Sequence, residues 1–485
     1  MSQQDQINYD SNLNTNLVLN KDNNKQYTFF WNLIFLEQGI TKLNYVALLL
    51  NYFLLTLIFV TTESLQPMLF QDKFQIKQEN QGSENANLLL ADIIIKILFA
   101  PIMGIICDKV GRKYTLFYGI LIISISLALM PLSTSIYPMY LLLRILYAHG
   151  SITICIVPIF ADYVQNITKG KGAAINVVFA SLGAVSSVEI INNGLRNQLS
   201  IKQIYWVIAF SYFCLGCMMC IYIKNGKYYL DNTKDKKNDM VQIIKIGIQS
   251  AKNPMIFIGY LTSFLARGDS ILFTLFLVLW SNKYIPDYNQ ANIKAATLSG
   301  IAYTIILFFC IFYGIAMERY CKYKVHITMF LLASIGCFML NFADKGPNSW
   351  ISYLAISILG VGMSGFLTSS QYLINKYADN NNRGYINGLA SLIGVLGIFV
   401  CSVIGGYIYD KLGSVNIILF FILYNIFNKQ NITFMLFGIM SIIAIILLFI
   451  TWYINKDKNF ENDNDEVQQI SNSTQINGEQ NQIRV

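Results

Sequence analysis

Long apolar runs, each interrupted by Gly, Pro or clustered charge, recur along most of the chain. A hydrocarbon core of about 30 Å needs about 20 apolar residues per helical crossing, and these runs reach that length. They predict spans at about 43–66, 87–107, 114–132, 138–161, 173–193 and 203–224, then at about 254–280, 292–316, 326–343, 350–375, 385–409 and 431–454. Between the two sets lies the one long hydrophilic interior stretch, Asn225 to Lys252, carrying KDKKND, which reads as the joint between two halves. Two further apolar runs, residues 27–36 and 416–427, are too short to cross alone and read as interfacial helices. A crossing by the second would make thirteen spans and put the two tails on opposite sides.

Composition agrees with the pattern. The 485 residues are 54% hydrophobic and 13% charged, which excludes a soluble enzyme and a single-pass receptor. The net charge of +8 does not point to nucleic acid, because the basic residues sit in short loops and not on one face. Placing the N-terminus inside puts seventeen Lys and Arg of the connections in the cytosol against eight outside, so both termini are expected there. The first 26 residues and those from Lys456 onward are polar tails without a signal-peptide pattern. All nine cysteines fall in spans or cytosolic turns, so no disulfide framework is expected.

The chain repeats itself. GIICDKVGRK (Gly104 to Lys113) has a partner GIAMERYCKY (Gly314 to Tyr323) at an offset of 210, matching Gly104 to Gly314, Asp108 to Glu318, Lys109 to Arg319 and Arg112 to Lys322. Arg144, Ala148 and Gly150 fall opposite Ile356, Gly360 and Gly362, and Lys171 and Gly172 opposite Arg383 and Gly384, at an offset of 212. Three anchors with nearly one offset indicate two homologous halves. The expected fold is an all-α membrane protein with twelve transmembrane helices in two pseudo-symmetric six-helix bundles. The parts are a cytosolic tail with an interfacial helix (1–42), one bundle (43–224), a cytosolic linker (225–253), the second bundle (254–454) and a disordered cytosolic tail (455–485).

GIICDKVGRK (Gly104 to Lys113) resembles the loop motif of the major facilitator superfamily: Gly, three residues, Asp, Arg or Lys, one residue, Gly, Arg, Arg or Lys. Arg144 to Gly150 is similar to that superfamily's Arg-x-Leu-x-Gly-x-Gly pattern, with Ala148 in place of the first glycine. The resemblance covers about 43–454 and implies a central path that opens alternately to either side. It also implies a gating role at the cytosolic ends for Gly104, Asp108, Lys109, Gly111, Arg112 and Lys113, and for the copies Gly314, Glu318 and Arg319. By their own chemistry, Asp108 can meet cationic forks or a helix N-terminus, and Gly111 permits a tight reversal.

Seven ionisable residues lie inside predicted spans: Glu63, Asp92, Lys96, Arg144, Glu189, Arg267 and Asp269. Facing lipid, all seven would cost roughly 20 kcal/mol on insertion scales, so most must face a cavity or each other. Arg267 stands thirteen residues from either end of its span and cannot snorkel, which marks the midplane. Asp269, two residues on, points to another face, and Gly268 between them permits local unwinding. The pair reads as a substrate or proton site, or as a structural ion pair. Arg144 lines the cavity in the superfamily pattern, with Glu63 and Asp92 equally placed as partners, while Asp92 and Lys96 are one turn apart and able to pair locally.

Glu189 stands where many drug exporters of this type carry Gly-Pro. The proline is absent from both the 173–193 and the 385–409 spans, which weakens an antiporter reading and adds an acid that could carry protons or reach solvent. His149 reads as a proton-coupling residue or a hydrogen-bonding one, and Ser369, Ser370 and Gln371 as cavity contacts or interhelical contacts. Cys214, Cys217 and Cys220 on one helix give poor tetrahedral geometry for a metal. No catalytic constellation is present, with only His149 and His326 in the chain.

The expectation is therefore not an enzyme but a secondary transporter moving a small solute by alternating access, with proton coupling as a further element. It has no cofactor, no metal and no nucleic acid, and is a monomer in the plasma membrane or an endomembrane. A uniporter, a lipid flippase or scramblase, and a transport-dead sensor or scaffold are the alternatives.

Overall fold

The computed structural model describes residues 28–29, 33–76, 81–156, 159–165, 168–195, 198–225, 240–378, 383–405 and 432–454. The first set of helices is α1 (Lys42–Asp72), α2 (Gln81–Val110), α3 (Arg112–Leu129), α4 (Leu141–Ile156), α5 (Lys169–Ser186) and α6 (Ile201–Tyr222). There follow α7 (Met240–Ser250), α8 (Pro254–Tyr284), α9 (Tyr288–Arg319), α10 (Lys322–Met339), α11 (Trp350–Tyr377), α12 (Arg383–Phe399) and α13 (Ile432–Ile454). Among the described residues, ten helices are long and apolar enough to cross a membrane, so the protein is an integral, multi-pass, helical membrane protein. Ten of the twelve expected spans are among these; the other two fall at α2 and α4. Large apolar side chains face outward, as Phe210 (71% exposed) and Phe312 (65%) do, which suits lipid and not water.

Local signals set the helix starts. Thr41 and Asn44 cap α1 reciprocally, and Ser200 and Gln203 do the same for α6, so backbone N–H groups left over at each N-terminus find acceptors.

One expectation changes. The described part of 27–36 is not helical: β1 (Thr28–Phe29) pairs antiparallel with β2 (Ile34–Phe35). Phe35 donates its N–H to Thr168 Oγ1 (3.1 Å) and accepts from the Gln165 N–H (3.0 Å), so this aromatic, β-favouring run docks on the connection before α5. The hydrophilic stretch 225–252 contains the helix α7, whose Gly247 lets it lie against Leu389 of α12 and whose Gly247 carbonyl accepts from the Tyr260 hydroxyl (3.1 Å). The segment 416–427 and both polar tails lie outside the described residues.

The repeat is visible in the packing. Helix α3 ends in a 3-10 turn at Met130–Leu132, and α10 ends in one 210 residues later at Leu340–Phe342. A Cβ at Gly150 would sit 3.1 Å from the Gly119 carbonyl, and one at Gly362 2.8 Å from that of Met329, so α4 meets α3 as α11 meets α10. The Phe53 carbonyl fills the place of a Cβ at Gly183, and the Phe264 carbonyl does so at Gly397, bringing α5 onto α1 and α12 onto α8 in the same way. Contacts across the halves run chiefly between α5 and α9, α2 and α12, and α5 and α11.

Candidate functional site

Arg144 is completely buried, and no part of it reaches solvent. Its Nε donates to Asp92 Oδ2 at 2.9 Å, its Nη2 forms an ion pair with Glu63, and its Cζ lies 5.4 Å from the centre of the Tyr147 ring. The sequence left Glu63 and Asp92 as competing partners. The structure has the guanidinium take both, which its planar fork allows. Helices α1, α2 and α4 are thereby joined by two carboxylates on one cation. The polar network continues through the Tyr140 hydroxyl to Gln66 Oε1 (3.4 Å) and Gln66 Nε2 to Asn85 Oδ1 (2.7 Å). Arg144 does not line the central cavity as the resemblance implied: its two acids hold it inside the first half.

That cavity, of about 210 Å³, lies between the halves. Residues of α1, α2, α4 and α5 line it from one side, including Lys96, Ser151 and Cys155; α8, α9, α11 and α12 line it from the other, including Arg267, Ser270 and Tyr303. Arg267 thus faces the chamber that its midplane position predicts, its stem packed over Gly394 of α12. Lys96 faces the same chamber while only 8% exposed. It makes no ion pair with Asp92 one turn earlier, whose Oδ2 meets Arg144.

Asp269 is turned away, as a separation of two residues requires. It is fully buried, it does not line the cavity, and neither carboxylate oxygen has a hydrogen-bond partner among the described residues. Gly268 does not unwind its helix. It admits Cys401, on the π turn just after α12, whose Sγ would lie 2.8 Å from a Cβ there, and the irregular π turn of α8 comes later, at Leu272–Phe276. Glu189 sits on a π turn (Ser187–Gly194) after α5, exposed, with Oε1 2.7 Å from the place of a Cβ at Gly300 of α9. The six predicted site residues therefore separate into a sealed triad, one cavity cation, one enclosed acid and one acid at a contact between the halves.

At one end of the molecule the motif residues hold neighbouring elements. Gly111 adopts φ +103°, which favours glycine, and the Lys113 N–H beside it donates to Asn225 Oδ1 (3.1 Å). Arg112 forms an ion pair with Asp162, and the side chains of Asp108 and Lys109, with Gly104, lie outside the described residues. The copy crosses between the halves: Glu318 accepts from the Lys171 N–H (3.1 Å) in the first turn of α5, which has no capping side chain of its own, and Gly314 packs on Ala174. Lys169 Nζ donates to the Asn375 carbonyl (3.1 Å) across the same gap, and Arg319 is exposed.

A family model described as Major Facilitator Superfamily matches residues 46–310 and 259–476. The chain belongs to this superfamily, and it is a membrane transporter. Magnetosome protein MamH of Paramagnetospirillum magneticum is 21% identical over 374 residues, covering 74% of this chain and 85% of that protein. Magnetosome protein MamZ of Magnetospirillum gryphiswaldense is 22% identical over 375 residues, 72% of this chain but 56% of that longer protein. The solved proton:xylose symporter XylE superposes with a TM-score of 0.63 at 15% identity, over 84% of this chain and 95% of that one, a likeness of fold.

Sequence reasoning counted Lys96 among the charges that face a cavity or each other, with Asp92 as a local partner, and the structure has it line the cavity. It missed Tyr303 and Ser270, which look like ordinary span residues, and Asp162, one residue past its predicted helix. Ser369 bonds to His326 and not to the cavity, whereas Gln371 meets Asn176 across the halves (3.5 Å). His149 accepts or donates to the Tyr118 hydroxyl at 3.1 Å, away from the triad.

Proposed function

We propose that this superfamily member is a secondary transporter that carries a small solute through the central cavity by alternating access. Two six-helix bundles with both termini in the cytosol rock about that cavity. The observation that carries the reading is a chamber walled by both halves and holding Arg267, beside a contact between the halves that can open. Glu318 is a cap supplied in trans: its carboxylate satisfies an N–H of the α5 N-terminus only while the cytosolic ends are together. Gly314 and Lys169 act with it as the gate. The buried Glu63–Arg144–Asp92 cluster is the proton-carrying element, since two acids share one cation there.

Cys155 lines the cavity and reports the gate. In a variant lacking the other eight cysteines, a membrane-impermeant maleimide is expected to label Cys155 from either face of the membrane. Labelling from one face alone under every solute and voltage condition would refute alternating access. In the same background, Glu318→Ala is expected to raise labelling from the cytosolic face by about tenfold, as loss of a charge-assisted hydrogen bond of about 1.5 kcal/mol implies, while Glu318→Gln gives a smaller rise. Unchanged labelling in Glu318→Ala would remove Glu318 from the gate.

A further inference from the structure

The acidic and basic side chains buried in this protein nearly balance in number, yet they are not distributed evenly around the cavity. Glu63 and Asp92 are spent on Arg144, Asp269 is enclosed among the second-half helices, and Glu189 lies against Gly300; none of the four lines the chamber. Among the described residues the charged ones that line it are Lys96 and Arg267, and neither has a carboxylate within salt-bridge distance. Lys96 is more than nine-tenths buried and is part of the lining.

We infer that the solute carried in this cavity is a small organic anion whose charged group is held between Lys96 of α2 and Arg267 of α8. The inference rests on the transport reading above and narrows it to a substrate class. Two cations lining one low-dielectric space repel, and Arg267 has no counter-charge among the described residues within salt-bridge distance. An anion between them relieves both penalties, and it joins one half of the protein to the other. The two carboxylates on Arg144 leave one excess negative charge near Lys96, which offsets the burial of its ammonium. The rest of the lining is largely apolar, with Leu55, Phe59, Ile152, Met363 and Leu367, so the anion carries an apolar body. At about 210 Å³ the chamber is smaller than the ~300–1,000 Å³ of drug-sized sites, which limits that body to a single ring or a short branched chain.

Benzoate, phenyl phosphate, benzamide and benzamidine share one phenyl ring and differ in the charge of the group it carries. Added in the millimolar range to the purified full chain, benzoate or phenyl phosphate is expected to raise the melting temperature, and the neutral and cationic probes are not. The stronger of the two anions distinguishes a carboxylate from a phosphate. Lys96→Met and Arg267→Met are each expected to weaken the anion's apparent affinity by about tenfold or more, Arg267→Lys to retain most of it, and Lys96→Glu with Arg267→Glu to favour benzamidine. Gel filtration confirms that each variant is folded. Equal stabilisation by benzamide or benzamidine, stabilisation by none of the anions, or anion binding indifferent to the substitutions would each overturn the assignment. Counterflow in proteoliposomes separates the two readings. Charge-selective binding without any flux overturns transport and leaves the anion site standing; flux of a neutral solute unaffected by Lys96→Met does the reverse.

Discussion

An Arg144→Met variant will unfold at a markedly lower temperature than the parent, with a loss of about 3–5 kcal/mol. The guanidinium is wholly buried and bridges Glu63 and Asp92, so its removal leaves two acids facing each other in a low-dielectric interior and takes away the tie between α1, α2 and α4. Neutralising the acids as well tests the cause. The triple variant Arg144→Met, Glu63→Gln, Asp92→Asn is expected to recover most of the lost stability, because no charge is left without a counter-charge; a double-mutant cycle on the melting data measures the coupling. The same triple variant, stable but lacking its titratable acids, is expected to lose pH-gradient-driven uptake in proteoliposomes. If it accumulates solute as the parent does, the triad is a structural tie and not a proton carrier. If Arg144→Met alone is as stable as the parent, the triad contributes nothing measurable to folding.

Arg267→Met should behave in the opposite way. Arg267 is half-buried on the cavity surface with no carboxylate within salt-bridge distance among the described residues, so its loss strands no partner and melting should shift little. Uptake, by contrast, should fall by roughly 30-fold or more, the equivalent of about 2 kcal/mol for a lost charge-assisted contact with solute. Arg267→Lys keeps the charge and should fall less. Initial rates in proteoliposomes, normalised to inserted protein, decide the matter; a normal rate in Arg267→Met would remove this residue from the solute path. Two arginines of similar apparent standing in the sequence are thus expected to divide cleanly, one governing stability and the other transport.

Much of this was legible before any coordinates. Spacing of apolar runs gave the spans, because a helix that must satisfy its own backbone in hydrocarbon needs about 20 apolar residues whatever its neighbours are. The offset of 210 to 212 announced the repeat, and the structure returns it in matched 3-10 turns and matched glycine contacts. Insertion cost singled out Arg267, and its place on the cavity follows from its distance to either end of the helix. The aromatic run at 27–36 misled because length argues only against crossing; the hairpin exists through partners at Gln165 and Thr168 that are remote in the chain.

What sequence determined, then, is depth and repetition, since both are properties of position along a helix. What the tertiary structure alone decided is the partnering of the buried charges: that Arg144 takes both Glu63 and Asp92, that Lys96 and Arg267 line one cavity from two halves of the chain, and that Glu318 caps a helix of the other half. Pairing depends on which faces of separate helices are brought together, and residues more than fifty positions apart carry no local signal of that choice.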